Sequence, residues 1–135
     1  IGREANAIEP RKRMLSSMTP TVVLRDGKPI LVTGSPGGST IITTVLQVLV
    51  NVIDHGMTLS EAVSSPRFHH QWIPDSITVE ADSFSAETLD ALRKKGHLDI
   101  RPARYGLGDA NSIMRVDGVL HGVEDPRTQG GAAGY

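Results

Sequence analysis

The sequence has no cysteine and few aromatic residues. Without cysteine, the chain can form no disulfide, bind no metal through thiolates and use no thiol as a nucleophile. Aromatic residues make up 4% of the chain, too few for a surface that stacks nucleic-acid bases. The formal net charge of −1 provides no electrostatic attraction for nucleic acid or for an anionic membrane. The core must therefore be aliphatic, and we predict no nucleic-acid partner and no membrane contact.

Long hydrophobic runs are also missing. The longest apolar run, Ile41 to Ile53, contains polar residues and is too short to span a bilayer. There is no signal peptide, and the chain begins with Ile1 rather than methionine, so we expect a piece of a longer protein. Its 135 residues fit a single domain, in which residues 1–14 form an extended entry segment.

Two β-hairpins are predicted, one near each end of the chain. Asp26-Gly27 and Asp117-Gly118 are typical hairpin turns, and each lies between two runs rich in β-branched residues. The flanking runs are 21–24 and 30–33 in the first hairpin, and 111–116 and 119–123 in the second. The first hairpin is almost continuously apolar, which predicts that both of its faces are covered.

The region between the hairpins is predicted to be mainly helical. Residues 40–55 are long enough for a helix, and the apolar residues all around it predict that it is buried. A capping box at 58–61 begins a short helix, and Ser85 caps a third helix that runs to Lys95. Short strands are predicted at 77–80 and 98–101. Together these elements indicate an α/β or α+β domain with largely antiparallel strands and buried helices.

The stretch GSPGGST, residues 34–40, joins the first hairpin to the long helix. The first amides of a helix have no intrahelical partner, and Gly37 and Gly38 allow that backbone to approach a ligand closely. Two such amides can hold a phosphate, a carboxylate or the oxyanion of a tetrahedral intermediate. The stretch lacks the spacing of nucleotide-binding motifs, so we predict no cofactor. A tight connection that needs glycine for packing alone is the alternative.

A serine pair favours the anion-binding interpretation. Ser16 and Ser17 precede the first hairpin, and a hairpin returns its end to its beginning, so they should lie beside the glycine bend. Two hydroxyls and two free amides would then surround one anionic oxygen. No general base or partnered nucleophile accompanies them. His69 and His70 are adjacent, and we favour a role in holding their loop together over metal binding, so no metal site is predicted.

Several segments resemble the C-terminal part of the small subunit of γ-glutamyltranspeptidases, also called γ-glutamyltransferases or glutathione hydrolases. They are LSSM, GSPGGS, PRFHHQW and the ending DPR…GGAAGY. The likeness covers nearly the whole chain and is weaker between residues 77 and 108. It implies an N-terminal nucleophile (Ntn) hydrolase with a four-layer αββα fold, whose precursor cleaves itself into a large and a small subunit. An N-terminal threonine would then cleave γ-glutamyl amides such as glutathione and pass the γ-glutamyl group to water, amino acids or peptides.

The resemblance also implies roles for two pairs of residues. Ser16 and Ser17 match the serines that bind the α-carboxylate of the γ-glutamyl group, and Gly37 and Gly38 match the glycines whose amides form the oxyanion hole. The family's nucleophilic threonine has no counterpart here, and neither do the large-subunit arginine and the residues that hold the substrate's amino group. Ile1 has no hydroxyl with which to replace that threonine. We therefore expect the chain to be inactive alone and to need the upstream part of the small subunit and the large subunit as partners.

Two other functions remain open. One is a related cephalosporin or glutaryl acylase, although the serine pair suits a free α-carboxylate. The other is a non-catalytic anion-binding or interaction module. The resemblance implies a periplasmic or secreted protein, and surfaces normally covered by the missing parts would allow the isolated chain to self-associate.

Overall fold

The computed structural model of the chain describes residues 4–134. The predictions that involve Ile1 and the last residue of the GGAAGY ending lie outside the described residues. The helices are α1 (Ile41–Ile53), α2 (Leu59–Ser64) and α3 (Ala86–Lys94), with 3-10 turns at Glu4–Asn6 and Gly38–Thr40. The strands are β1 (Thr21–Arg25), β2 (Lys28–Thr33), β3 (Phe68–His69), β4 (Ile77–Val79), β5 (Ile100–Pro102), β6 (Ser112–Val116) and β7 (Val119–Val123).

The strands form two sheets. A four-stranded antiparallel sheet has the order β1-β2-β6-β7, so the two predicted hairpins lie side by side through β2 and β6. A three-stranded sheet has the order β3-β4-β5, in which β4 and β5 are parallel because α3 connects them. The predicted α+β class with largely antiparallel strands is confirmed.

The local turn and cap signals are confirmed. Both residues of each hairpin turn have positive φ, 51° and 72° at Asp26-Gly27 and 48° and 85° at Asp117-Gly118, as the right-handed twist of a hairpin requires. The capping box of α2 is formed in both directions between Thr58 and Glu61. The side chain of Ser85 accepts the Thr88 amide at the start of α3.

The aliphatic core lies between the four-stranded sheet and the first two helices. Its buried members are Leu31 of β2, Val48 of α1, Leu59 and Val63 of α2, and Ala110 before β6. Among residues 4–134, no helix is long and apolar enough to cross a membrane.

The prediction that both faces of the first hairpin are covered is wrong for the described residues. Val23 and Leu31 face the core, whereas Val22, Val32 and Ile113 lie next to one another across the sheet on its other face. These three side chains are 56%, 46% and 50% exposed, because no helix or strand among residues 4–134 packs over them. We call this row of Val22, Val32 and Ile113 the outer apolar row.

The prediction of buried helices also needs correction. Only one face of α1 is buried, and Ile42 and Leu46 on the opposite face are more than half exposed. Helix α3 has no buried residue. Helix α1 is apolar on both faces, as predicted, but no other part of the described chain covers the face that carries Ile42 and Leu46.

Two strands and the entry segment differ from the sequence prediction, beside shifts of one or two residues at the ends of other elements. Strand β3 was not predicted, because two residues are too few to show alternation. Strand β5 lies two residues later than the predicted 98–101, since its position is set by pairing with β4. Within the predicted extended entry segment, Glu4–Asn6 forms a 3-10 turn. That the entry segment and the rest of the chain form a single domain stays a prediction.

Four charged side chains form a cluster between the two sheets. Arg67 and Asp125 are paired at 2.7 Å with side chains 2% and 0% exposed, and Arg67 also donates to the carbonyls of Val63 and Leu107. Arg127 forms a bidentate pair with Glu80, including 2.6 Å between Nη2 and Oε2, and contacts Asp125 at 3.1 Å. Because these charges are removed from water, each depends on the others for compensation.

The cluster predicts a large difference between buried and exposed ion pairs. Asp125→Asn should lower the free energy of unfolding by about 3–5 kcal/mol, because it leaves the Arg67 guanidinium buried without a countercharge. Asp99→Asn is the matched control: its pair with Arg101 is exposed, so the expected loss is below about 1 kcal/mol. Denaturant unfolding of both variants measures the difference, and equal losses would contradict the assigned importance of the cluster.

The cluster also predicts acid sensitivity. Burial alone would raise the pKa of Asp125, but the amides of Ala110 and Arg127 and the Arg67 guanidinium outweigh it, so this pKa is lowered. The pKa of Glu80 is lowered as well, since the Arg127 guanidinium and the amides of Leu107 and Arg67 outweigh burial. A carboxyl whose pKa is lowered by folding contributes stability above its unfolded pKa of roughly 4, and this contribution disappears as the pH falls through the folded pKa. The melting temperature should therefore fall steadily below about pH 4, and a flat profile from pH 5 to pH 3 would contradict this account.

Candidate functional site

The glycine loop between β2 and α1 has a backbone that other residues would not adopt easily. Gly37 has φ 137° and Gly38 has φ 58°. A Cβ atom at Gly37 would lie 2.5 Å from the Thr40 hydroxyl, whereas a Cβ at Gly38 would meet nothing within 4 Å. Gly37 is therefore required by both conformation and space, and Gly38 by conformation alone.

The loop leads directly into a 3-10 turn at Gly38–Thr40 and then into α1. The Gly37 carbonyl accepts from the amide and the hydroxyl of Thr40, at 3.1 and 2.9 Å. Within residues 4–134, the amides of Gly37 and Gly38 donate to no protein acceptor. Two unpaired amides at the start of a helix are suited to an anionic oxygen.

The serine pair lies beside this loop, as the hairpin geometry predicted. The Ser17 hydroxyl donates to the Gly38 carbonyl at 2.6 Å, across 21 residues of sequence. The Ser16 hydroxyl accepts the Met18 amide at 3.2 Å, which orients the segment before β1. The structure therefore brings together the serines and glycines that the sequence analysis selected, and their roles in binding remain predictions.

A second loop supports the glycine loop from behind, and sequence reasoning missed it. The Ser35 hydroxyl accepts the Asp109 amide at 2.8 Å and donates to the Pro36 carbonyl at 2.6 Å. A Cβ atom at Gly108, which has φ 78°, would lie 2.6–2.7 Å from Thr44 of α1 and from the Ser35 hydroxyl. The repeated glycines of YGLGDAN were the available signal, but the sequence does not show which segment they approach.

His69 holds its loop, as the sequence analysis favoured. Its Nδ1 contacts the Thr43 hydroxyl of α1 at 2.8 Å, and its Nε2 contacts Gln71 Oε1 at 3.2 Å. Both ring nitrogens are therefore engaged. Gln47 of α1 strengthens the same connection by bonding both the amide and the carbonyl of Phe68.

Comparisons with known proteins show the family to which the chain belongs. The family model described as Gamma-glutamyltranspeptidase matches residues 2–135. The chain is 54% identical to the glutathione hydrolase proenzyme of Escherichia coli K12 over 129 residues, which cover 95% of the chain and 22% of that protein. It superimposes on the T380A mutant of Helicobacter pylori γ-glutamyltranspeptidase with a TM-score of 0.86 and 52% identity, covering 95% of this chain and 70% of that one.

The likeness extends to a more distant enzyme. A cephalosporin acylase from Bacillus halodurans gives a TM-score of 0.84 at 28% identity, covering 96% of this chain and 24% of that one. The chain belongs to the γ-glutamyltranspeptidases, and its fold is that of the Ntn hydrolases. It spans only about a fifth of the length of the E. coli relative, 22%.

The supporting loop predicts a specific packing defect. Gly108→Ala should destabilise the protein by roughly 1–3 kcal/mol beyond the strain of a positive φ, because its methyl group would overlap Thr44 and Ser35. Gly118→Ala is the matched control, since Gly118 has φ 85° but open space around it. Thermal unfolding of the two variants separates the clash from the backbone strain. An equal loss of stability in both variants would contradict the close packing of Gly108 against Thr44 and Ser35.

Proposed function

We propose that the protein containing this chain hydrolyses γ-glutamyl amides such as glutathione and transfers the γ-glutamyl group to water, amino acids or peptides. In this proposal Ser16 and Ser17 bind the substrate's α-carboxylate, and the amides of Gly37 and Gly38 form the oxyanion hole. The nucleophile is an N-terminal threonine in another part of the protein. The observation that carries the proposal is the 2.6 Å hydrogen bond from Ser17 to the Gly38 carbonyl, which holds the serine pair against the glycine loop.

The serine pair has the chemistry that a carboxylate needs. A hydroxyl donor can exchange the Gly38 carbonyl for a carboxylate oxygen, which is the stronger acceptor because it is charged. The loop that carries Ser16 and Ser17 makes few other contacts, so small movements can place both hydroxyls on one ligand. Hydrogen bonds of this kind are worth about 1.5–3 kcal/mol each, enough to select a substrate with a free α-carboxylate.

The glycine amides suit the developing negative charge of an acyl-transfer reaction. They stand at the start of α1, where the helix contributes partial positive charge. Their positions are fixed in advance by Thr40 on one side and by the loop around Gly108 on the other. Donors held in place before the reaction stabilise an oxyanion without reorganisation, and this effect accounts for much of the rate in such enzymes.

The exposed apolar surfaces support the proposed partners. The outer apolar row and the exposed face of α1 present apolar side chains that are about half exposed, and we propose that the upstream part of the small subunit and the large subunit cover them. The isolated chain would use the same surfaces to self-associate. We also propose a periplasmic or secreted location, which rests on the family resemblance alone.

A cephalosporin or glutaryl acylase is the second candidate, and the likeness to the B. halodurans enzyme is the observation that favours it. The α-amino group of the substrate decides between the two, because a glutaryl group has a carboxylate at the same position as a γ-glutamyl group and lacks only that amino group. A non-catalytic anion-binding module would bind γ-glutamyl compounds without turnover.

The serine pair makes a testable difference between substrates. In the complete, matured protein, Ser16→Ala with Ser17→Ala should lower kcat/KM for L-γ-glutamyl-p-nitroanilide by about 10²- to 10⁴-fold, because two bonds to a charged group are lost. For the analogue in which the α-carboxylate is a carboxamide, the loss in kcat/KM should be at least about tenfold smaller, since hydrogen bonds to a neutral acceptor are roughly half as strong. Initial rates on both substrates measure the effect.

Ser60→Ala, an exposed serine of α2, is the control and should leave both rates unchanged. Equal losses on the two substrates would mean that the serines do not recognise the carboxylate. A parent protein that cleaves glutaryl-p-nitroanilide but not the γ-glutamyl substrate would establish the acylase. A parent protein that binds γ-glutamyl compounds and cleaves neither substrate would establish the module.

A further inference from the structure

Three potential metal ligands converge at a place remote in sequence from the glycine loop. His70, Asp75 and His97 each offer one ligand atom, and these atoms lie within 4.8 Å of one another. His70 Nε2 is 3.1 Å from Asp75 Oδ1, and the rings of His70 and His97 meet edge to face with centroids 5.7 Å apart. We call His70, Asp75 and His97 the His-Asp-His cluster.

The three-stranded sheet places these residues at one of its ends. His70 directly follows β3, and Asp75 and His97 shortly precede β4 and β5. Strand β3 runs antiparallel to β4, and β4 runs parallel to β5. The end of β3 and the beginnings of β4 and β5 therefore lie at the same end of the three-stranded sheet. The amide of Ile77 donates to the carbonyl of Asp99 at 2.9 Å, which fixes the spacing between the last two segments.

Short-range bonds also fix the loop between His70 and Asp75. The Ile73 amide donates to the Gln71 carbonyl at 2.9 Å, and the Gln71 side chain donates to the Ile73 carbonyl at 3.0 Å. The same Gln71 side chain contacts His69, whose ring is anchored to α1 through Thr43. These bonds order the backbone that carries His70 and Asp75 before any ion binds. The entropic cost of binding an ion is therefore lower.

The donor set suits a transition metal. Imidazole binds Zn²⁺, Cu²⁺ and Ni²⁺ well, and two imidazoles with one carboxylate match sites that complete a tetrahedron with water. Among residues 4–134, the His97 ring makes no hydrogen bond, although it is only partly exposed, so its nitrogens remain available. Asp75 is exposed, which leaves an approach for an ion and room for a water ligand.

We propose that the His-Asp-His cluster binds a divalent transition-metal ion such as Zn²⁺, with His70, Asp75 and His97 as its protein ligands. Bound there, the ion connects the ends of three strands and stabilises the smaller sheet. The sequence analysis considered only the adjacent pair His69 and His70 and predicted no metal. His69 is fully occupied by its own contacts, and the second imidazole comes instead from His97, 27 residues further along the chain than His70.

Binding requires a proton to move on His70. In the absence of metal, its Nδ1 accepts the Trp72 amide at 3.4 Å, so Nε2 carries the proton that is donated to Asp75. When Nε2 binds the ion, the neutral ring carries its proton on Nδ1 instead, and the long bond to Trp72 is given up. The nitrogen chemical shifts of His70 should therefore report a change to the Nδ1-protonated tautomer in step with metal binding.

The test titrates Zn²⁺ into the complete protein, purified with chelator and without a histidine tag, by isothermal calorimetry. We expect one ion per chain at this site, with affinity reduced at least about tenfold in His70→Gln, Asp75→Asn and His97→Gln, since each loses one ligand. His121→Gln is the matched control, because His121 is an exposed histidine on β7, outside the cluster. Binding in this variant should equal that of the parent.

Two further readouts separate ligand loss from misfolding. Zinc should raise the melting temperature of the parent and of His121→Gln but not of His97→Gln, because only binding to the folded state stabilises it. Cobalt in place of zinc should give the intense visible bands of a tetrahedral site, and these should vanish in His97→Gln. Metal binding that is equal in His97→Gln and His121→Gln, or absent in the parent, would overturn the proposal.

Discussion

The buried ion pair between Arg67 and Asp125 is the interaction on which the arrangement of this chain depends. Asp125 also accepts the Ala110 amide at 2.6 Å, and Arg67 also reaches the carbonyls of Val63 and Leu107. The pair thus connects the end of α2, the loop before β6 and the segment after β7. Removing one of these polar partners would leave a buried charge uncompensated, so the three segments depend on one another for their positions.

The candidate site gains its rigidity from this connection. The loop before β6 contains Gly108 and Asp109, which pack against Thr44 and bond to Ser35. The glycine loop therefore rests on a segment whose other end is held by Asp125. The face that a substrate would meet is less constrained, because Ser16 is exposed, Ser17 is partly exposed, and their side chains make one hydrogen bond each. A rigid glycine loop beside a less constrained serine pair is the arrangement expected where a bound ligand completes the hydrogen bonding of the site.

The elements that were predictable from the sequence are those specified by neighbouring residues. Asp26-Gly27 forces its turn because both positions need positive φ, and Thr58 with Glu61 caps α2 within a single turn of backbone. The meeting of Ser17 with Gly38 was also predictable, since a two-residue hairpin turn brings its ends together whatever surrounds it. The serine and glycine positions therefore followed from local geometry together with the family resemblance.

The remaining features depend on contacts between distant residues. Nothing near Gly108 in sequence shows that a methyl group there would meet α1, and β3 exists only because β4 lies beside it. The exposure of the outer apolar row could not be predicted from the sequence either. An apolar strand has the same sequence pattern whether the surface that packs on it belongs to the same chain or to another. Periodicity reports that a face is apolar and does not report what lies against it.

The pairing of β2 with β6 has a consequence for the order of events during synthesis. Thr33 and Ser112, paired across the two strands, are separated by 79 residues, and their side chains share a buried hydrogen bond of 2.8 Å. When the ribosome has made the glycine loop and α1, the strand that holds β2 and the loop that supports Ser35 do not yet exist. The amides of Gly37 and Gly38 can therefore gain this support only after β6 has emerged, so the glycine loop of the nascent chain is not yet held in its final geometry while the segments before β6 are being made.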